Sequence, residues 1–494
     1  MMKRIIENIG IVMVLFALLS SCTKNLELSP ISEISVASLW KTEEDAKGAI
    51  NGIYARFRTQ VQENLYRWGG ARSEEISYGI NGSEGREFLF NNTLSAVNPG
   101  PDWLRLYSVL HDVNLVLKYV PNIDFTDQKE KNKILAEAYT MRAYIYYILV
   151  RTWGAVPIIK EPTESFNPSA PDAYKTQNSP EEIFAFIKED IGLASGLFAD
   201  NAIPAGRAYW SKPALNALKG DVYLWTGKIL NGGRADFEIA LSALEDVKTA
   251  DVTLLSSFDQ VFRGTNKGNK EVLFAVQFKQ NESGNQYGQD MYIAPTEIPS
   301  DGDAASRGLI GVGGGLNRWA PSEILRSQFQ STDTRKNVTF TEIYRFPSGV
   351  RTFYASVALK YKGGVTGGAR LFLDDVIIYR YADVLLMIAE AKNALDLDPS
   401  DEINEVRQRA YGANYAANVF VSTDKIANDE AILKERLLEL AFEGKRWWDL
   451  IRFDKAMDLV PSLQSRDRGL LLFPISQSTL SLNPKLIQNE AYRN

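Results

Sequence analysis

The chain has 494 residues, of which 45% are hydrophobic and 23% charged, and its formal net charge is −6. This balance is typical of a folded globular protein, and a chain of this length buries enough surface to fold without disulfides or a structural metal. Its 55 Lys and Arg residues form no basic block. This pattern argues against a nucleic-acid-binding protein, which would carry a basic stripe.

Cys22 and His111 are the single Cys and the single His of the sequence. A disulfide within the chain is therefore impossible, and a Cys/His zinc site lacks the several ligands that it needs. Catalysis of the Ser-His-Asp or Cys-His kind would have to use His111. Because this residue lies in a run with helical character, we interpret it as a structural residue of a helix.

The N-terminus has the three parts of an export signal. A positively charged start is followed by an apolar run from Ile9 to Leu19, which is too short to span a bilayer and fits the core of a signal peptide. Cys22 follows a Leu-Ser-Ser triplet, a pattern that resembles a bacterial lipobox, whose thiol is diacylated. We therefore predict a lipoprotein signal peptide at residues 1–21, lipidation of Cys22 and a tether at residues 22–40. The alternative is an ordinary secretory signal with an incidental Cys.

Helical patterns dominate the first half of the body. The residue spacing and caps predict helices over 44–58, 103–120, 129–153, 179–198, from 211 onward and 237–248. Short links join them into pairs, with small residues at contact positions. This arrangement is typical of stacked helical hairpins and resembles tetratricopeptide repeats, although the strict repeat signature is absent.

The character of the sequence changes between about residues 256 and 375. A strand-like run at 271–278 is surrounded by polar, Gly-rich loops at 281–289, 308–315 and 363–368. Loops of this length in a compact protein are more often functional than idle. The Gly-rich run at 308–315 is not a phosphate loop, because it lacks the closing Gly-Lys-Ser/Thr and no helix follows it at once.

Helical patterns return over 379–395, 401–411 and 429–453, and the tail from 470 to 494 is irregular. We expect helix in about half of the residues and a few strands, all within or near 256–375. The body is predicted as one folding unit, residues 41–494. It divides into a helical-repeat part at about 41–255, a loop-rich part at about 256–378, and C-terminal helices and tail at 379–494.

Several motifs along almost the whole chain belong together. In chain order they are Asn51-Gly-Ile-Tyr54, Arg142-Ala-Tyr-Ile-Tyr-Tyr147, Arg380-Tyr-Ala-Asp-Val-Leu-Leu386, Asn404-Glu-Val-Arg407 and, most specific, the charged segment from Glu435 to Arg452. Taken together and in this order, they resemble the SusD/RagB family of Bacteroidetes outer-membrane lipoproteins.

The resemblance implies a mainly α, SusD-like fold with four tetratricopeptide-like helical pairs and a loop-rich, short-stranded insertion. It implies a glycan or oligosaccharide as the usual ligand and a SusC-like TonB-dependent transporter as partner. It also implies an outer-membrane location, lipid-anchored and facing the cell exterior. Acids close behind the lipidated Cys favour surface export in this phylum, but Lys24 precedes the nearest acid, Glu27. The expectation that the protein faces the cell exterior therefore comes from the family resemblance and not from this export signal.

The charged segment tests whether the protein is an enzyme. Glu439, Glu443 and Asp449 offer the carboxylates that a glycosidase uses in pairs. Arginines at 436, 446 and 452 lie three or four residues from these acids, a spacing that makes ion pairs along a helix. A neighbouring guanidinium lowers a carboxyl pKa, which is wrong for a general acid. We therefore predict a salt-bridge network and no catalytic residue, and keep a surface glycoside hydrolase as the alternative.

An acidic cluster at Asp396, Asp398 and Asp401 lacks the central Gly and the closing bidentate Glu of the usual Ca²⁺ loop. We interpret it as a solvated turn between helices, and predict neither a metal site nor a cofactor.

Sugars present C–H faces that stack on aromatic rings and hydroxyl groups that hydrogen-bond to polar side chains. Two loop regions, 67–81 and 287–319, combine aromatic residues with such polar groups. We predict that Trp68 and Trp319 are stacking platforms for the sugar and that Tyr78 and Tyr292 are secondary stacking rings. Arg72 and Asn317 are the predicted hydrogen-bond donors. Packing of each Trp under a loop is the alternative. A peptide in place of the glycan is a further possible cargo.

Overall fold

The computed structural model describes residues 39–164, 167–170 and 173–493. The predicted signal peptide, Cys22 and most of the tether lie outside this part of the chain. The described residues are 53% helical, with a few short strands, which confirms the predicted mainly α fold. None of their helices is long and apolar enough to cross a membrane.

The α-helices of the described residues fall into a first group before the strands, a set of short ones among the loops and a C-terminal group. In chain order they are α1 (Glu43–Gly69), α2 (Glu87–Phe90), α3 (Leu104–Tyr119), α4 (Gln128–Trp153), α5 (Pro180–Leu197), α6 (Lys212–Ile229), α7 (Gly233–Val247), α8 (Gln286–Met291), α9 (Ala304–Ile310), α10 (Glu323–Gln328), α11 (Lys336–Thr339), α12 (Tyr381–Ala394), α13 (Ser400–Tyr411), α14 (Lys425–Leu440), α15 (Arg446–Arg452), α16 (Ala456–Leu459) and α17 (Gln477–Leu482).

Side-chain caps set the starts of several long helices. Ser179 accepts from the backbone N–H of Glu182, whose side chain accepts in return from the Ser179 N–H, which makes a capping box at the start of α5. Ser211 caps α6 through the N–H of Ala214. Both starts agree with the sequence prediction, because the capping residue, and not distant packing, determines where these helices begin.

Consecutive helices pack as pairs, most extensively α6 with α7 and α4 with α5. Gly220 on α6 shows why small residues are needed there. A Cβ at this position would lie 2.3 Å from Leu244 Cγ on α7, far inside van der Waals contact. The helical-pair prediction therefore holds at the level of side-chain contacts.

The strands of the described residues are short. They are β1 (Ile76–Tyr78), β2 (Val272–Val276), β3 (Trp319–Pro321), β4 (Phe340–Arg345), β5 (Thr352–Ala358), β6 (Gly364–Thr366), β7 (Ala369–Leu371) and β8 (Val376–Arg380). They form four antiparallel pairs, β1–β3, β2–β8, β4–β5 and β6–β7. The expectation that all strands lie in or near 256–375 is wrong for β1, which pairs with β3 across more than 240 residues.

The pair β2–β8 closes the base of the loop-rich part. Val276, where β2 ends, lies opposite Val376, where β8 begins. All five residues of each strand are buried, so both faces of the pair are covered by helices and loops. Residues 277–375 therefore leave and re-enter the helical body at one place.

Helix α1 extends eleven residues beyond its predicted end at residue 58. Its buried positions Phe57, Val61, Leu65 and Trp68 follow one another at helical spacing. The whole segment therefore keeps one face in the core, and Trp68 lies in the last turn of a helix instead of on a loop.

The single helix predicted over 429–453 is in fact two, α14 and α15, separated by residues 441–445. Phe442 and Gly444 there have φ of 66° and 67°, which helical residues do not adopt. The break brings the chain against the end of α1, where a Cβ on Gly69 would lie 2.0 Å from the Gly444 carbonyl oxygen. Close packing against α1 thus overrides the local helical pattern.

One large apolar cluster runs through all three predicted parts of the body. It includes Phe57 and Ile145 of the first helices, Phe274 of β2, and Leu385 and Trp447 of the C-terminal helices. A second, smaller cluster lies under the loop-rich part. The loops above it therefore rest on a packed base.

Candidate functional site

The two predicted stacking platforms are buried. Trp68 is 1% exposed and Trp319 is fully buried. The Trp68 Nε1 donates to the Pro101 carbonyl at 3.0 Å, and its ring meets the Trp153 ring edge-on. A ring covered on all sides offers no face to a sugar, so the prediction of these two as exposed platforms is wrong, and packing under a loop is their role.

Three further predicted contacts are also buried. Tyr292 donates from its hydroxyl to the Ile310 carbonyl at 3.1 Å. Arg72 donates to Asn92 and to carbonyls of the C-terminal tail, and its guanidinium lies 4.4 Å from the Trp447 ring centroid. Asn317 accepts from the Ile80 N–H at 2.8 Å. These polar groups satisfy backbone atoms of neighbouring loops, which is why they are not available to a ligand.

Tyr78 is the exception among the six predicted residues, with 50% of its surface exposed. It ends β1, and its hydroxyl accepts a hydrogen bond from Asn91 Nδ2 at 2.6 Å. Nearby, the guanidinium of Arg318 pairs with Glu84 at 2.6 Å. An aromatic ring with one free side among polar groups is the arrangement that binds a sugar face.

The acids of the charged segment are not arranged for catalysis. Glu439 and Glu443 are buried and lie 2.6 and 2.8 Å from Arg380. Burial by itself raises the pKa of Glu439, but the charges of Arg409, Arg380 and Arg335 outweigh it and hold that pKa well below its usual range. A carboxyl kept ionised in this way cannot serve as a general acid.

The ion pairs of this segment mostly connect different elements instead of following one helix. Arg452 on α15 bonds Asp221 on α6 at 2.5 Å and Glu390 on α12 at 2.9 Å. Asp449 accepts from Arg436 of α14 at 2.9 Å. The network therefore joins the last helices to the helical pairs, as predicted from the sequence, but through partners that helical spacing does not reveal.

Two buried carboxyls have strongly raised pKa values, as catalytic acids often do. Burial raises the pKa of Glu75 to about 8 and that of Glu137 to about 7. Glu75 accepts from the backbone N–H of Phe442, and Glu137 accepts from the Tyr54 hydroxyl at 2.9 Å. Both are nearly inaccessible to solvent, so neither can reach a substrate in this conformation.

The acidic turn at Asp396, Asp398 and Asp401 is held by local contacts. Asp398 accepts from the Ser400 N–H at 2.9 Å, and Asp396 pairs with Lys425 at 3.1 Å. Within the described ranges, no group of three or more His, Cys, Asp or Glu side chains is placed to hold a metal ion.

An open depression lies where the segment 279–289 faces the β7–β8 region. We call it the first cleft. Its volume is about 600 Å³, and side chains from α1, the segment 279–289 and β7 line it, among them Gln62, Gln280, Asn281, Gln286, Gln289 and Arg370. Ligand sites commonly have volumes of a few hundred to a thousand Å³, so the first cleft is large enough for several sugar units.

The amides of the first cleft differ in how far they are engaged. Gln286 donates to Asp290 and Gln289 donates to the Gly314 carbonyl at 3.2 Å. Gln280 and Asn281 are exposed, and neither side chain takes part in a hydrogen bond between described residues. Each free amide offers two donors and an acceptor, which suits a ligand rich in hydroxyl groups.

The first cleft lies outside the predicted ligand contacts, because those were assigned to aromatic rings and this cleft is lined mainly by amides. The amino-acid composition does indicate the cleft, since five of the ten residues from 280 to 289 are Asn or Gln.

Hydrogen bonds through Leu316 connect the cleft to the segment that follows Tyr78. Gln289 accepts through its carbonyl from the Leu316 N–H, and the Leu316 carbonyl accepts from Asn81, three residues after Tyr78.

Comparisons with known proteins cover almost the whole chain. Residues 368–464 match the SusD family, and residues 70–224 match the family described as "Starch-binding associating with outer membrane". SusD-like protein P38 of Formosa agariphila is 25% identical over 98% of this chain and 99% of that protein.

Two solved structures are similar in both sequence and fold. B. fragilis NanU is 32% identical, with a TM-score of 0.84 over 94% of this chain and 100% of that one. A SusD superfamily protein from Bacteroides vulgatus is also 32% identical, with a TM-score of 0.83 over 92% of this chain and 100% of that one. On this evidence the chain belongs to the SusD family, a family of starch- and glycan-binding proteins associated with the outer membrane.

Proposed function

We propose that this protein binds an oligosaccharide in the first cleft without altering it and passes it to a SusC-like TonB-dependent transporter. In this proposal a lipid on Cys22 holds the protein at the outer membrane, facing the exterior. The observation that carries the proposal is the open cleft of about 600 Å³ whose exposed amides have no partner among the described side chains.

The chemistry of the cleft matches a glycan. Sugar hydroxyls both donate and accept, and an amide side chain does the same from one rigid group. Arg370, on one wall, is fixed by hydrogen bonds to the carbonyls of Val312 and Lys362, each at 2.7 Å. Because Arg370 is already fixed, a ligand can bind against it without ordering that side chain, whereas the exposed amides become ordered on binding. Tyr78, which precedes the segment hydrogen-bonded to the cleft edge, is the exposed ring that we propose as an aromatic face.

A surface glycoside hydrolase is the alternative function. Retaining and inverting glycosidases need two carboxyls at the sugar, one of them protonated near neutral pH. Glu282 is the carboxylate of the first cleft, and it is paired with Arg58 at 2.7 Å. The guanidinium of Arg58 lowers the pKa of Glu282 through a hydrogen bond, which works against a proton-donating role. Binding without chemistry is therefore the better-supported proposal.

The transporter is proposed as partner because the family associates with the outer membrane, while none of the described helices can cross a bilayer. A glycan held outside the membrane is useful to the cell only when another protein carries it inward. Pull-down from native membranes in mild detergent should recover a large outer-membrane barrel. Quantitative recovery of this protein without such a barrel would count against the partnership.

Titration calorimetry against a panel of glycans, including starch, tests the binding proposal. We expect at least one glycan to bind and its chain-length profile to stay unchanged after incubation. Release of shorter sugars would favour the hydrolase, and binding of peptides alone would favour the other cargo.

Asn281→Gly is the most specific test of glycan binding in the first cleft. Asn281 has φ of 67°, so Gly removes the amide without straining the backbone. Asn231→Gly is the matched control, because Asn231 has φ of 59° and is exposed in the turn between α6 and α7. We expect weaker glycan binding for Asn281→Gly and for Gln280→Ala, and native affinity for the control. Native affinity in all three variants would place the site elsewhere.

A further inference from the structure

A second depression, which we call the second cleft, adjoins the first. Its volume is about 380 Å³, and both clefts are bordered by Lys279 and Glu282. The Arg58–Glu282 ion pair, 2.7 Å long, forms the ridge between them. Both partners are partly exposed, with 22% and 46% of their side-chain surfaces accessible. The ridge is thus an ion pair at the protein surface and not a buried barrier.

Helix α1 supplies one wall of the second cleft. Asn51, Ala55 and Arg58 lie at helical spacing on one face of α1. Ala208 contributes from the loop before α6 on the opposite wall. Ala55 and Ala208 carry only a methyl group, so we expect a larger side chain at either position to extend into the cleft.

The second cleft is lined by an aromatic ring that is partly open to solvent. Tyr209 is partly exposed and donates from its hydroxyl to Asn51 Oδ1 at 3.1 Å. Its ring meets the Tyr54 ring edge-on, with centroids 4.9 Å apart. The Tyr54 hydroxyl is itself fixed, since it donates to Glu137 and accepts from the Trp210 N–H, both at 2.9 Å. The ring of Tyr209 is therefore held in place before any ligand arrives.

Polar groups for sugar hydroxyls surround this ring. Asn51 uses its oxygen for Tyr209, which leaves its two amide protons for a ligand. Gln277 donates to the Gly206 carbonyl at 2.7 Å, which leaves its oxygen as an acceptor. A fixed ring that shares one cleft with a free donor and a free acceptor matches the C–H face and the hydroxyl groups of a pyranose.

From this geometry we propose that the second cleft is a second subsite for the same oligosaccharide. Sugar units beyond those in the first cleft cross the Arg58–Glu282 ridge and stack on Tyr209. The inference rests on the proposed function, because it assigns the remaining units of a glycan whose first units lie in the first cleft. Its consequence is selectivity for chain length, since a ligand that is too short to cross the ridge gains nothing from Tyr209.

The experiment compares a hexasaccharide with a disaccharide by titration calorimetry, using maltohexaose and maltose if starch binds, and otherwise the same lengths cut from the glycan that binds. Ala55→Trp fills the second cleft from an exposed helix position, and Tyr209→Ala removes the ring. Ala235→Trp, exposed on α7, is the matched control. Thermal melts establish that each variant is folded.

We expect Ala55→Trp and Tyr209→Ala to weaken hexasaccharide binding by about 5- to 100-fold, by analogy with the loss of a stacking ring under a base. Disaccharide binding should stay native in both, as should all binding by Ala235→Trp. Native hexasaccharide affinity in both second-cleft variants would overturn the second subsite while leaving the first cleft untouched. Native affinity of Asn281→Gly and Gln280→Ala for both sugars would instead refute the first cleft, and thereby the proposed function on which this inference depends.

Discussion

The ring of Tyr78 lies edge-on to the ring of Phe90, with centroids 5.4 Å apart and planes at 83°. Phe90 in turn contacts Trp319 at 5.8 Å. The exposed ring of Tyr78 thus stands on two buried rings, which fix its orientation and leave half of its surface free. Trp319 was predicted to stack on the sugar itself, but it lies beneath Phe90 and helps to hold the Tyr78 ring.

Tyr78→Ala should weaken glycan binding by about 5- to 100-fold, because it removes a stacking face. Tyr78→Phe keeps the ring and loses only the hydroxyl that accepts from Asn91, so its affinity should stay close to native. Calorimetry on both variants with a glycan that the native protein binds separates the two contributions. Equal affinity of the Ala and Phe variants would show that the ring does not contact the ligand.

Trp68→Ala should lower the free energy of unfolding by about 3–5 kcal/mol, the usual cost of deleting a buried Trp side chain. The ring is 1% exposed and packs against Trp153, so the substitution leaves a cavity in the core, and Trp68 does not line the first cleft. Urea denaturation measures the loss, and calorimetry on the folded variant should give native glycan affinity. A folded variant with native stability and reduced affinity would restore the ligand role that the structure argues against.

Arg380→Met should also destabilise the fold by about 3–5 kcal/mol, because it leaves buried carboxylates without their counter-charge. Arg380 is fully buried and contacts Glu271 at 2.8 Å and Glu439 at 2.6 Å. Arg468→Met is the control, since the Arg468–Asp454 pair is largely exposed and such pairs contribute about 1 kcal/mol or less. Urea denaturation measures the free energy of unfolding of both variants. An equal decrease in the two would contradict the claim that the buried ion pairs matter more than the exposed one.

Glu75 should make stability fall as pH rises. Burial raises its folded-state pKa to about 8 from 4.5, so the folded protein holds a proton that the unfolded chain releases. This stabilising contribution is fully present below about pH 4.5 and is lost as pH rises towards about 8. Glu75→Gln stays neutral, so its free energy of unfolding should fall less steeply across this window, by at most about 1.4 kcal/mol per pH unit. Glu44→Gln, on an exposed side chain, is the control. Parallel curves for native protein and Glu75→Gln would refute the shift.

Cys22→Ala should abolish labelling by radioactive palmitate and release the protein from the membrane fraction. Cys22 is the single thiol of the chain and follows the predicted signal peptide, and several acyl chains on one Cys are needed for stable anchoring. Continued labelling of the variant would contradict lipidation at this position.

Local signals in the sequence predicted most of the helices, because caps such as Ser179 and the 3.6-residue period act within a few residues. The same period continues through Phe57, Val61, Leu65 and Trp68. It therefore indicates that the first helix extends as far as Trp68.

The candidate site was harder to predict because burial of a loop side chain depends on distant partners. Arg72 is engaged by the carbonyl of Leu472, 400 residues away, and nothing near position 72 shows this. The strand pairing of β1 with β3 is equally remote in sequence. Tyr78 is exposed and the other predicted residues are buried because distant parts of the chain cover their side chains and not that of Tyr78. The amides of the first cleft were visible in the composition of 280–289, but their convergence with Gln62 and Arg370 required the fold.

The β2–β8 pair gives the loop-rich part a natural point of exchange. Since Val276 and Val376 are cross-strand neighbours, whose Cα atoms lie roughly 5 Å apart in such a pair, the segment between them can be lengthened, shortened or replaced without moving its two ends. The entropy of closing a longer loop grows only slowly with its length. Binding surfaces can therefore diversify between relatives, or be transplanted by protein engineers, while the helical body that carries them stays unchanged.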